Sequence, residues 1–298
     1  MNFRKILIKD DWAVAIRRKR SDCEIFSKDW KVSPFKVLKN PPLSWLADPF
    51  LIEFNGTHYL FVEEYSILKR KAHISCAAIG KNSNLKFKKC FETNHHLSFP
   101  NVYYCDGFFY MIPEAYQSNG TVLLQTTEKD FPFGWKLFKR LNEDQSLDSV
   151  RISDNLLLYS LFNKDGGHNN LTIFNLTNGN KHIIYNDNNK YSRNGGKIIT
   201  HKDCVYRVCQ NCEITYGGSL IFTKINKIGD SILDESIFFE LKPEDISINC
   251  KPFALHTYNH DSLYEVIDVR YDDRRILRNI AAYLLFVFCK ILKRNKSR

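Results

Sequence analysis

The chain has 298 residues, 44% of them hydrophobic and 26% charged, with only 13 Gly and 9 Pro. That is enough for a full hydrophobic core in one or two domains, and it excludes a fibrous or disordered chain. The formal charge of +10 raises nucleic-acid binding, but the excess sits at the ends, in RRKR at 17–20 and in the last 25 residues; with no basic stripe interleaved with stacking aromatics, nucleic acid is not expected as a partner.

The 22 Phe and 15 Tyr favour β structure. In chain order, MNFRKILIKDDW has no apolar signal core, because Lys9, Asp10 and Asp11 interrupt it. The nine cysteines, at 23, 76, 90, 105, 204, 209, 212, 250 and 289, are odd in number and lack a framework spacing. Both features predict a cytoplasmic protein with free thiols. Cys209 and Cys212 form a lone C-x-x-C pair and read as small buried side chains, so neither metal nor cofactor is expected.

WAVAIR (12–17) reads as a strand free to complete a sheet formed elsewhere. ADPFLIEFNGTHYLFVEE (47–64) is a hairpin turning at Asn55-Gly56. Its pattern returns in SFPNVYYCDGFFYMIPE (98–114), DSVRISDNLLLYSLFN (148–163), GGKIITHKDCVYRVCQ (195–210) and KPFALHTYNHDSLYEVIDV (251–269). The turns fall near 55, 106, 154, 202 and 260, steps of 48 to 58 residues. HISCAAIG (73–80), TVLLQTT (121–127), LTIFNL (171–176) and SLIFTKI (219–225) supply further strands between them.

A hairpin recurring about every fifty residues is the signature of propeller blades. The predicted fold is all-β, a five-bladed β-propeller over 1–270 followed by a C-terminal basic amphipathic helix over 271–298. In a propeller the first strand of each blade lines the central channel. Asp48, Pro100, Asp148 and the segment 193–196 are therefore expected at equivalent places facing one pocket.

Asp272-Asp273 reads as a solvated helix start. In RRILRNIAAYLLFVFCKILKRNKSR (274–298) the uninterrupted apolar run extends only from Ile280 to Cys289, short of the ~20 residues needed to span a bilayer. Flanked by Arg and Lys, it reads as a helix lying on an anionic membrane, with packing across the propeller underside as the alternative.

The stretches ADPFLIEFNGTHYLFVEE, HLSFPNVYYCDGFFYMIPE, SRNGG (192–196), YRVCQNCEITYGG (206–218) and LHTY (255–258) together resemble the β-propeller domain at the N-terminus of plant glucosamine inositolphosphorylceramide transferases and its bacterial relatives, over roughly 12–270. That family is distantly similar to five-bladed glycosidases of the family 43 type, which use an Asp base in blade one, an Asp in blade three that tunes acidity, and a Glu acid in blade four. The resemblance implies Asp48 as base and Asp148 as the blade-three residue. The blade-four acid is missing, replaced by Ser192-Arg193-Asn194-Gly195-Gly196.

A guanidinium where an acid belongs disfavours hydrolysis by a carboxylate pair and suits a phosphate or pyrophosphate. Glu114 is the preferred catalytic partner of Asp48. Glu63 and Glu64 are adjacent in a strand, so at most one faces the channel. His96, Ser98, Arg193, Arg207, Gln210, Tyr216 and His256 complete the candidate substrate-binding set, although Arg207 in a strand context also suits burial against a carboxylate.

The expected function is a glycosyltransferase of bacterial surface-polysaccharide assembly, moving a sugar from a nucleotide sugar to a lipid-linked glycan acceptor. It would be peripheral on the inner face of the cell membrane through 274–298. The alternatives are a glycoside hydrolase with relocated carboxylates and a non-catalytic glycan-binding module.

Overall fold

A computed structural model of the chain describes residues 9–20, 25–80, 85–114, 117–118, 120–162, 169–185 and 188–273, and the helical residues 278–281, 283–285 and 287–288. The architecture is a five-bladed propeller of antiparallel sheets. Blade one is Ser44–Phe54, Thr57–Ser66, Lys71–Ile79 and Lys88–Phe91; blade two is Ser98–Cys105, Phe108–Glu114, Thr121–Thr127 and Lys136–Asn142. Blade three is Leu147–Arg151, Leu156–Phe162, Asn169–Asn175 and Lys181–Tyr185. Blade four pairs the short strands Arg193–Asn194 and Ile199–His201 with Cys204–Asn211, followed by Ser219–Gly229 and Ile232–Leu241.

Blade five draws on both ends of the chain. Its inner strands are Pro252–Ala254, Tyr258–His260 and Tyr264–Asp273, and Lys9–Arg18 and Lys36–Val37 finish it from the N-terminal side. The strand expected at 12–17 is Lys9–Arg18, in register with Tyr264–Asp273 over ten residue pairs. Asp272 and Asp273 end that strand and do not begin a helix, a correction to the sequence reading.

The turns explain the rhythm. Asn55-Gly56 and Asp106-Gly107 hold positive φ at both residues (49° and 70°, 49° and 80°), the conformation of the tight turn matched to strand twist. Lys202 and Asp203 adopt it too, at 47° and 60°.

Because side chains alternate across a strand, each blade feeds two seams. Leu157 packs with Ile112 of blade two, while its neighbours Leu156 and Leu158 pack with Leu233 of blade four. Phe50 and Phe61 meet Phe99 and Phe109 between blades one and two, Val14 and Val266 meet Leu51 and Leu60 between five and one, and Phe222 meets Tyr258 between four and five. Each fully buried Leu or Phe contributes about 1.5–3 kcal/mol, so every seam carries its own core.

RRKR is divided by the same alternation. Arg17 points inward, 2.6 Å from Glu265 and donating to the Trp30 and Ser33 carbonyls at 2.7 Å each. Arg18, on the opposite side, helps line a cavity of about 420 Å³ with Ile16, Lys36, Leu38, Ile79 and Tyr264.

At the other end Arg278 donates to the buried Asp11 carboxylate and to the carbonyls of Ser44 (3.0 Å) and Pro42 (3.2 Å). The first described helical residue is thus tied to blades five and one, while Leu284 and Phe288 further along are exposed. Residues 282, 286 and 289 of the apolar run 280–289, and all of 290–298, lie outside the described residues. No described helix is long and apolar enough to cross a membrane.

Candidate active site

Three first strands carry the same irregularity. Register breaks between Ala47 and Phe50, between Ser98 and Asn101, and between Leu147 and Val150. Inside each break one non-glycine residue takes positive φ: Asp48 at 47°, Phe99 at 47° and Asp148 at 48°. These are bulges, which re-aim a side chain out of the pleat. The blade-two equivalent of Asp48 is therefore Phe99, and the expectation of Pro100 is corrected by one residue; Pro49 and Pro100 are the matching pair that follows.

The bulge amides are satisfied by carboxylates of the preceding blade. Asp268 of blade five accepts from Asp48 N at 2.9 Å, Asp48 from Phe99 N at 3.0 Å, and Glu114 from Asp148 N at 3.2 Å. Asparagines add cross-blade ties, Asn194 donating to Asp148 O and Asn259 to Pro49 O, both at 2.8 Å. The acids at the channel thus also hold the ring.

Asp48, His256 and Asp268 form one cluster. Asp268 accepts from the amides of His256 (3.1 Å) and Thr257 (2.8 Å), and His256 Nδ1 lies 2.6 Å from it. Asp48 accepts from the Thr257 hydroxyl at 2.8 Å, with His256 Nδ1 at 3.7 Å. Trp12 stacks on the imidazole at 4.0 Å. Burial pushes Asp48 up to about 7, His256 opposing and Glu63, Asp268 and Asp148 reinforcing the rise. Burial alone would depress His256, but Asp268 and Asp48 outweigh it and raise the imidazole to about 9.

The donor atoms of Asp48, His256 and Asp268 lie within 4.8 Å of one another, a composition that suits a metal. They are already spent on each other, however, and the imidazolium supplies the positive charge at their centre.

Asp148, Glu114 and Arg193 form the second cluster. Arg193 Nε donates to Asp148 at 2.6 Å, and Nη2 donates to Asp148 at 3.1 Å and Glu114 at 3.3 Å. Burial, then the neighbouring Asp148, hold Glu114 well above the usual carboxylate range, with Arg193 pulling the other way. The Arg193 guanidinium lies 5.1 Å from the Tyr216 ring, which meets His256 edge-on at 5.2 Å. Tyr216 is 43% exposed overall, yet its phenol oxygen reaches in among the acids: burial, and then Asp48, Asp148 and Glu114, raise its pKa well above ordinary despite Arg193.

Other candidates fall at the edge or outside. Glu63, opposite Ala47 and equivalent to Glu114 opposite Ser98, pairs with His96 Nε2 at 3.2 Å. Burial would lower the His96 pKa, but Glu63 and then Asp48 raise it. Ser98 is buried beside Glu114. Glu64 faces the other way, accepting from Ser44 (2.8 Å) and Ser75 (2.7 Å) within blade one.

Two expectations of substrate contact are corrected. Arg207 is fully buried, its Nε 2.9 Å from Glu235 and its Nη1 3.0 Å from Asn194. Gln210, also fully buried, donates to Asn194 O at 2.8 Å. Both hold the segment that carries Arg193.

SRNGG has a steric reason. A Cβ on Gly195 would come within 2.9 Å of His256 O, and one on Gly196 (φ 154°) within 2.0 Å of Tyr258 O. Blade four here lies directly on the blade-five backbone. Sequence reading missed Asp268, Thr257, Asn194 and Trp12; the available signal for Asp268 was an acid set between the apolar Val266-Ile267 and Val269 of the strand Tyr264–Asp273.

Comparison with known proteins adds three findings. A family model described as "Glucosamine inositolphosphorylceramide transferase 1, N-terminal" matches residues 35–243. Glucosamine inositolphosphorylceramide transferase 1 of Arabidopsis thaliana is 31% identical over 200 residues, covering 62% of this chain and 26% of that protein; its Oryza sativa subsp. indica counterpart is 28% identical over 202 residues, covering 63% and 27%. The chain thus spans about a quarter of the length of these curated relatives.

Among solved structures, the catalytic domain of Coprinopsis cinerea GH62 alpha-L-arabinofuranosidase superposes with a TM-score of 0.56 at 10% identity, over 87% of this chain and 96% of that one. RS223-beta-xylosidase superposes with a TM-score of 0.52 at 8% identity, over 77% and 93%. These likenesses establish the shared five-bladed fold.

Proposed function

The chain belongs to the glucosamine inositolphosphorylceramide transferase 1 N-terminal family, and from that premise we propose that it is a glycosyltransferase of cell-surface polysaccharide assembly. It moves a sugar from a nucleotide donor to a lipid-linked glycan acceptor, on the inner face of the cell membrane. The observation that carries the reading is Asp48, a buried carboxylate brought to about 7 at the centre of the ring. A general base works best with a pKa near the operating pH.

Asp48 takes the proton of the acceptor hydroxyl as its oxygen attacks the anomeric carbon. The bond from that carbon to the diphosphate oxygen breaks, and the nucleoside diphosphate leaves with the electron pair. Arg193 offsets its charge. Nε and Nη2 are engaged by Asp148 and Glu114, but Nη1 has no hydrogen-bond partner among the described residues and is available to a phosphate oxygen. The described cysteines are free thiols, which supports a reducing compartment.

One observation favours a second reading, glycoside hydrolysis. Burial and then Asp148 raise Glu114 well above the usual carboxylate range, the direction a general acid requires, and Asp48 supplies the opposing carboxylate.

The deciding experiment is calorimetric titration of the purified protein with a panel of nucleotide sugars, alongside cleavage assays on oligosaccharides. The transferase reading expects a nucleotide sugar to bind wild type and Asp48→Asn alike, with binding lost in Arg193→Ala. Cleavage of an oligosaccharide, with no nucleotide sugar bound at millimolar concentration, overturns it in favour of hydrolysis.

A further inference from the structure

Strand direction divides the propeller into two faces. The hairpin turns at 55–56, 106–107 and 202–203 lie on one, and the bulges with the Asp48 and Arg193 clusters lie on the other. The segment 212–218 joins Cys204–Asn211 to Ser219–Gly229 and so returns on the pocket face. It is fixed there: Gly217 O accepts from Leu255 N at 2.8 Å, and Gly218 N donates to Asn211 O at 3.0 Å. Held this way, the segment presents Ile214 to water at 99% exposure. Phe253, at the start of blade five, is 44% exposed on the same face.

The chain beyond Asp273 leaves from this face as well. Arg278 fastens it to Asp11 and to the Ser44 and Pro42 carbonyls, with Leu284 and Phe288 outward at 61% and 59% exposure. The sequence 274–298 contains eight Arg or Lys and no Asp or Glu. Apolar tips on the face from which a wholly cationic sequence continues are a combination that binds an anionic bilayer, rings and alkyl chains entering the headgroup boundary while cations pair with lipid charge. Exposed apolar residues also occur elsewhere, such as Leu137 and Ile183 on outer blade strands, and serve below as controls.

We propose that the pocket face is itself the membrane-docking surface: Ile214 and Phe253 enter an anionic bilayer together with the 278–288 helix, so the pocket mouth opens onto the headgroup layer. This rests on the transferase reading for its purpose, since a lipid-linked acceptor would then reach Asp48 without leaving the membrane. The docking itself is tested separately.

The test is co-sedimentation of the full chain with phosphatidylcholine vesicles, with and without phosphatidylglycerol. Wild type is expected to bind the anionic vesicles preferentially. Ile214→Asp with Phe253→Asp should weaken that binding about tenfold, as should Leu284→Asp with Phe288→Asp, while Leu137→Asp with Ile183→Asp should bind as wild type. Equal melting temperatures verify that each variant is folded. If only the helix pair loses binding, the tail is a tether and the face is not docked. If the outer-strand pair loses as much, or wild type binds neither vesicle, the proposal also falls. Nucleotide-sugar binding in vesicle-free solution reports on the transferase reading independently.

Discussion

In Asp48→Asn, stability above neutral pH is expected to rise while activity disappears. Asp48 is 5% exposed, and burial lifts its pKa from 3.8 to about 7. A group whose folded pKa is raised lends stability that is full below the unfolded value and lost as pH climbs through the folded one. Wild type therefore loses stability between about pH 4 and pH 7. At ~1.36 kcal/mol per pH decade the loss is about 4 kcal/mol.

Asparagine does not ionise and escapes that loss. It retains one oxygen to accept from Phe99 N but surrenders the second acceptor that now serves Thr257, at about 1 kcal/mol. It also forfeits the attraction of the imidazolium. The net expectation is about 2 kcal/mol of added stability at pH 8, about 4–6 °C in Tm, and little difference or a small loss at pH 5. Urea unfolding at the two pH values measures this. A variant less stable than wild type at pH 8 would refute the reasoning, because the carboxylate would then be ionised and structurally required.

Arg207→Met should cost roughly 3–5 kcal/mol by stranding Glu235, whose side chain is 2% exposed; adding Glu235→Gln should recover part of it in denaturant titrations, and an unchanged single variant would contradict the pairing. Asp268→Asn should drop the His256 pKa from about 9 towards its ordinary 6.5, read by NMR titration of the imidazole. A raised histidine pKa stabilises below its unfolded value and ceases to do so as pH passes the folded one, so this variant should lose more stability at pH 6 than at pH 9.5. Arg193→Ala should be most unstable at high pH, by about 2–4 kcal/mol, because Asp148 and Glu114 lose their shared cation; pH-dependent melting that matches wild type would count against it.

The ring was legible because its punctuation is local. Asn55-Gly56 and Asp106-Gly107 fix turns by their own backbone preferences, and a short unbroken apolar run such as LLLY (156–159) reads as a strand buried on both faces without reference to a distant partner. The outermost strands were not distinguished, since Lys136–Asn142 and Lys181–Tyr185 are mostly exposed and lack an apolar face. Among site residues, Asp48 stood out through its Asp-Pro context.

Asp268 did not stand out, because its meaning lies in an amide 220 positions away. Arg207 and Gln210 were drawn into the substrate set because polarity within a strand is the same whether its partner is a ligand or, as here, Glu235 and Asn194.

The shared construction of blade five sets an order on how the molecule comes into being. Lys9–Arg18 is made long before its partner strand; Arg17 and Glu265 are 248 positions apart. Until then the N-terminal strand is an unpaired edge open to wrong partners, and closing so long a loop is entropically costly and slow. Asp48 gains the acceptor for its amide only when Asp268 arrives. Activity would thus report completion of the ring: a nascent chain stopped short of residue 268 can hold blades two to four, but it has no assembled site.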